Sequence, residues 1–193
     1  MNKKFAVVFP GQGSQSLGML AELAAIYPLV ETTFAQASAV LGYDLWQLSQ
    51  IGPVEKLNET QFTQPALLAA GVAVWRIWRA HGGGLPGSIA GHSLGEYTAL
   101  VCASALDFTD AIKLVAQRGQ FMQSAVPVGQ GAMAAIIGLE ASVVTAVCLQ
   151  AAQGEILMLA NFNSPEQIVI AGVRTAVERA ISLAKALRSR VQN

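Results

Sequence analysis

No histidine follows Ser93 in this 193-residue chain, whose two histidines are His81 and His92. A hydrolase-type order, with the base downstream of a serine nucleophile, is therefore not met within residues 94–193. Cysteine is scarce as well. Cys102 and Cys148 cannot build a disulfide framework or a cysteine-rich zinc site, and they suit buried thiols in a reducing compartment. Charge is low and balanced: Lys plus Arg and Asp plus Glu each total 12. No net field recruits nucleic acid or an anionic membrane.

Long apolar runs are missing too. Met1-Asn2-Lys3-Lys4 starts like a signal peptide, but the apolar run after it stops at Phe9-Pro10-Gly11, short of a hydrophobic region. Pro65 to Trp75 is followed by Arg76 and Arg79, and the segment cannot span a bilayer. The expected location is cytoplasmic, with neither nucleic acid nor membrane as a partner.

What is abundant is apolar side chain, 53% of residues. Elements buried on more than one side follow, which favours an α/β fold with a parallel sheet. Phe5–Phe9 reads as a strand leaving through the loop Pro10–Gln15. Helical patterning covers 19–25, 28–41 and 45–50, and 65–80 reads as an internal helix, hydrophobic nearly all round. His81-Gly82-Gly83-Gly84 resembles an esterase oxyanion loop, but its place at a helix end makes it a glycine C-cap.

A strand at 88–92 and helices at 94–106 and 107–124 follow, the last capped by Asp107 with Asp110 three residues on. Pro127-Val128-Gly129-Gln130-Gly131 marks a boundary, giving domains 1–127 and 128–193. Beyond it the pattern is strand 132–139, helix 141–152, strand 156–160, turn 161–165, strand 167–171 and helix 173–188. That is β-α-β-β-α, a ferredoxin-like unit without a last strand.

The chemistry centres on Gly91-His92-Ser93-Leu94-Gly95, between an apolar strand and a helix. Gly-x-Ser-x-Gly in that setting forms a nucleophile elbow, with the hydroxyl on a tight turn and glycines where side chains would clash. A serine here can also simply cap the helix. The glycine spacing favours a nucleophile. Ser93 would attack a carbonyl whose oxyanion is held by backbone N–H groups. Leu94 supplies one donor, and the Gly11-Gln12-Gly13 loop is the candidate for the second. That loop lacks the residues of a dinucleotide or phosphate fingerprint.

Arg118 shares a four-residue spacing with Leu114 and Met122, flanked by Val115 and Phe121, which places it on an apolar stripe. A guanidinium there needs an anion. Either it pairs internally, with Asp44 or Glu96, or it clamps a substrate carboxylate in two parallel hydrogen bonds. His92 is adjacent to Ser93 and points away from it, a packed, hydrogen-bonded support for the elbow. His81 precedes the elbow at a helix end and reads as a surface cap.

Together these segments resemble the malonyl-CoA:acyl carrier protein transacylase family. The matching stretches are Phe9–Gln15, Thr63-Gln64-Pro65-Ala66, Gly91–Tyr97, Arg118-Gly119, Gly131–Ala135 and Asn161–Pro165. The resemblance implies an α/β-hydrolase-like acyltransferase domain with a parallel sheet and an inserted ferredoxin-like subdomain. It implies transfer of malonyl from coenzyme A to the phosphopantetheine thiol of acyl carrier protein through a malonyl-Ser93 ester, in fatty-acid synthesis. Gln12 and Leu94 match the oxyanion-hole positions, and Arg118 matches the arginine that pairs with the malonyl carboxylate. The partners implied are malonyl-CoA, as substrate, and acyl carrier protein, with no cofactor and no metal.

Family members continue past the small subdomain to a catalytic histidine and further strands. The expectation is a C-terminally truncated transacylase. Alternatives are an inactive remnant lacking the catalytic histidine, or a general serine esterase.

Overall fold

A computed structural model describes residues 5–127 and 129–191. The charged start Met1–Lys4, Val128 of the boundary segment and the last two residues lie outside the described residues. The chain divides into two compact units, Met1–Ala125 and Val126–Asn193.

In the first unit, β1 (Ala6–Phe9) and β2 (Ser88–Gly91) pair in parallel, with Phe9 opposite Gly91. A parallel pair cannot be closed by a hairpin, so a long crossover joins the strands. It consists of α1 (Ala21–Ile26), α2 (Leu29–Leu41), α3 (Leu45–Ile51), α4 (Val54–Leu57) and α5 (Thr60–Ala80). Beyond β2 come α6 (Leu94–Cys102) and α7 (Phe108–Ser124).

Helix α5 is the hub of the core. Its Leu68, Ala69 and Val72 are buried in one cluster with Phe34 of α2 and with Ile112 and Val115 of α7. Small residues let its neighbours close in. A Cβ built on Gly71 would stand 2.7 Å from Cγ2 of Thr98, on α6.

Several boundaries differ from those expected. Helix α5 starts at Thr60, with Pro65 inside its second turn rather than at its head. It is not buried all round, since Val74 and Trp78 are exposed. Its end is where the glycines place it: the Gly83 N–H donates to the Trp78 carbonyl, and Gly82 takes a positive φ of 75°. Helix α6 stops at Cys102, four residues early. Ser104 turns left-handed at φ 59°, and the Ala105 N–H reaches back to the Leu100 carbonyl, ending the helix before Asp107 caps the next. The Asp107 carboxylate accepts from the N–H groups of Thr109 and Asp110, as its position predicts.

The second unit contains β3 (Gly131–Ile137), α8 (Ala141–Ala152), β4 (Leu157–Ser164), β5 (Gln167–Val173) and α9 (Arg174–Val191). The strands are antiparallel in the order β3-β5-β4. This is the ferredoxin-like pattern read from the sequence. One face of the sheet is closed by α8 and α9 through Val144, Val147, Cys148, Val177 and Ala180. Strand β4 runs through the stretch expected to be a turn. Register shifts at Leu159/Asn161 and Phe162/Ser164 absorb the extra residues, leaving Pro165-Glu166 as the hairpin connection.

Both cysteines are buried and free, and burial pushes the Cys102 thiol up to about 12. Among the described residues, no helix is long and apolar enough to cross a membrane.

Candidate active site

The elbow is made by backbone proximity. Strand β2 ends at Gly91 and α6 begins at Leu94, leaving His92 and Ser93 to reverse the chain. Ser93 adopts φ 53° and ψ −110°, a conformation that L-residues avoid and that projects the side chain from the turn. The glycine spacing has a direct steric cause. A Cβ on Gly91 would sit 1.9 Å from the Gly95 carbonyl carbon, and one on Gly95 would sit 2.2 Å from the Phe9 oxygen. Neither clash can be relieved by moving a side chain.

The same packing sets the β1 loop beside the elbow. A Cβ on Gly11 would meet the His92 carbonyl oxygen at 3.0 Å and its Nδ1 at 3.2 Å. His92 therefore lies against Gly11, and it is exposed rather than packed inside. The Gln12 side chain donates to Thr60 Oγ1 at 3.0 Å, tying this loop to the first residue of α5. Gly13 N–H donates to Gln15 Oε1, and Ser14 Oγ donates to the Gly11 carbonyl. Leu94 is the first residue of α6, so its N–H belongs to those a helix leaves without an internal acceptor. His81 packs edge-on against Tyr27 and caps the end of α5.

Arg118 reaches the elbow from α7. Its Nη2 donates to Ser93 Oγ at 3.0 Å and its Nη1 to Gln64 Oε1 at 2.7 Å, and its Cζ lies 5.7 Å from the Tyr97 ring centroid. One expectation about it is corrected, and one of its two alternatives drops out. The buried face of α7 is Phe108, Ala111, Ile112, Val115 and Gly119, whereas Leu114 and Met122 are about half exposed. Arg118 is thus half-buried on the flank of that face. Nor is it held by an internal carboxylate among the described residues. Asp44 instead caps α3 by accepting from the Gln47 N–H, and the guanidinium's bonds go to neutral oxygens.

The structure thus brings Ser93 and Arg118 into contact, with Gln12 and Leu94 at the same sheet edge. Gln64 is the member the sequence did not single out. Its place in the Thr63-Gln64-Pro65-Ala66 stretch was the one signal available, and its full burial appears only in the structure.

The acyl transferase domain description matches residues 6–193. The chain belongs to the acyl transferase domain family. This acyl transferase chain is 62% identical over 183 residues to the malonyl CoA-acyl carrier protein transacylase of Escherichia coli, covering 95% of itself and 59% of that relative. It superposes on the malonyl CoA-acyl carrier protein transacylase of Coxiella burnetii with a TM-score of 0.91 at 60% identity, covering 95% of this chain and 58% of the other. A solved complex of a type II polyketide acyl carrier protein with its malonyl-transacylase gives a TM-score of 0.91 at 61% identity, covering 95% and 60%. The acyl transferase chain therefore spans about 59% of the length of the curated relatives it matches.

Proposed function

We propose that this chain carries the acyl-accepting part of a malonyl-CoA:acyl carrier protein transacylase. The observation that supports the reading best is the Arg118–Ser93 contact of 3.0 Å, which sets an unneutralised cationic fork beside an elbow serine. A thioester carbonyl attacked by Ser93 would carry its distal carboxylate toward that fork. Relatives named for malonyl transfer to acyl carrier protein point the same way.

In the first half-reaction, Ser93 Oγ loses its proton and bonds to the thioester carbonyl carbon. The tetrahedral oxyanion rests on the Gln12 and Leu94 N–H groups, and the C–S bond breaks to release coenzyme A, which takes up the proton. In the second, the phosphopantetheine thiol of acyl carrier protein attacks the Ser93 ester and the serine recovers its proton. Arg118 holds the malonyl carboxylate through both halves. The reading takes 1–127 as acyltransferase domain and 128–193 as its small subdomain, requires no cofactor or metal, and places the reaction in the cytoplasm.

Acylation is the step to measure. Incubation with malonyl-CoA should add one malonyl group, seen by intact mass, and Ser93→Ala should remove it. Label that survives in Ser93→Ala overturns the nucleophile assignment. Arg118→Ala should lower malonyl labelling by at least tenfold while acetyl labelling holds or rises. Equal loss of both would make Arg118 structural.

One observation favours a second reading, a chain that binds acyl-CoA without turnover. Among the described residues the Ser93 hydroxyl has a cation, not a base, as its hydrogen-bond partner. An unassisted serine is a weak nucleophile, and losing the base typically costs several orders of magnitude in rate. Turnover measured beside a full-length relative separates the two.

A further inference from the structure

Gln64 is completely buried, yet it is a polar residue near the start of the core helix α5. Both ends of its amide are engaged. Oε1 accepts from Arg118 Nη1 at 2.7 Å, and Nε2 donates to Met122 Sδ at 3.3 Å. A thioether can only accept and a guanidinium can only donate, so the amide has one sensible orientation. Turned over, it would set donor against donor and oxygen against sulfur.

The helices are also locked in register at this point. A Cβ on Gly119, next to Arg118, would stand 2.6 Å from Gln61 Cα and 2.7 Å from the Thr60 oxygen. Helices α5 and α7 touch there backbone to backbone. The root of Arg118 and the root of Gln64 are therefore fixed relative to each other, and the amide fixes the tip.

A neutral amide matters because of charge. A glutamate at 64 would also accept from Arg118, but it would cancel the positive charge that a substrate carboxylate needs. An apolar residue would leave the charge intact and one guanidinium N–H pair without a buried acceptor, so the fork would swing. We infer that Gln64 is a positioning residue that aims the Arg118 fork without neutralising it, and that it thereby sets the preference of this site for anionic over uncharged acyl groups. The inference rests on the carboxylate-clamp role proposed above for Arg118.

Calorimetric titration of the 193-residue chain with malonyl-CoA and with acetyl-CoA tests it, because binding needs no turnover. The expected result is tighter malonyl-CoA binding by the parent, a preference reduced about tenfold in Gln64→Leu and erased in Gln64→Glu, and acetyl-CoA affinity within about twofold throughout. Gln64→Glu keeps the hydrogen bond, so it decides the matter if Gln64→Leu fails to fold, as judged by near-ultraviolet circular dichroism. Parallel loss of both ligands in a folded Gln64→Glu would overturn the inference in favour of a structural role. An unchanged preference in both variants, with Arg118→Ala abolishing it, would overturn the inference and leave the clamp standing. No preference in the parent would remove the clamp and the inference together.

Discussion

Both units turn the chain with open positive-φ glycines, Gly13, Gly18, Gly42 and Gly82 in the first, but they differ in how glycine meets backbone. In the first, Gly91, Gly95 and Gly119 sit where foreign backbone passes closer than any Cβ allows. The Gly91 approach closes the elbow on itself, while those at Gly95 and Gly119 join segments far apart in sequence: the β1 exit to the start of α6, and the start of α5 to α7. In the second unit, Gly129 and Gly154 have nothing within 4 Å and serve only to turn the chain, at φ 87° and 89°. There Gly172, 2.2 Å from the Ile156 oxygen by the same measure, faces a backbone approach. The difference teaches where precision resides. The second unit is specified by ladders and helix packing that can relax, whereas the first is specified by rigid contacts at the residues that surround Ser93.

The comparison is most exposed to Gly95→Ala. Its Cβ meets main chain that cannot yield, so the first unit should lose at least about 3 kcal/mol, read as a fall in thermal midpoint with loss of its near-ultraviolet signal. A variant that melts like the parent would end the contrast. Gly154→Ala tests the other side. Only left-handed strain opposes it, and denaturant titration should show a cost of about 1–2 kcal/mol.

The smallest effect concerns charge. Arg179 and Thr175 bond to the Glu155 carboxylate and hold its pKa below the ordinary carboxylate value. A depressed folded pKa stabilises above the unfolded value and is lost as pH falls through the folded one. Stability of the second unit should therefore decline below about pH 4.5, and Glu155→Gln should flatten that slope. An identical slope in the variant would show that the pair contributes nothing there.

The second unit was also the more legible in sequence, for the same reason. Its elements are periodic, and α8 falls at Ala141–Ala152 as its pattern predicts. The elbow glycines were legible because their spacing around Ser93 is a five-residue pattern, although the backbone that Gly95 meets belongs to Phe9 on β1. Arg118 was legible as a candidate but not in its setting: α7 carries apolar residues on two flanks, and periodicity could not say that 111, 112 and 115 face the core while 114 and 122 do not. The start of α5 was hidden because Pro65 reads as a helix head. Gln64 was hidden because its meaning lies 54 residues away, in a hydrogen bond no local pattern encodes.

The backbone at Ser93 sets a hydroxyl against the stability of the fold that presents it. At φ 53° a non-glycine residue carries a penalty on the order of 1–3 kcal/mol. Ser93→Gly should relieve that strain and stabilise the first unit, read as a rise in thermal midpoint. A hydroxyl at that position is therefore held at a cost to folding.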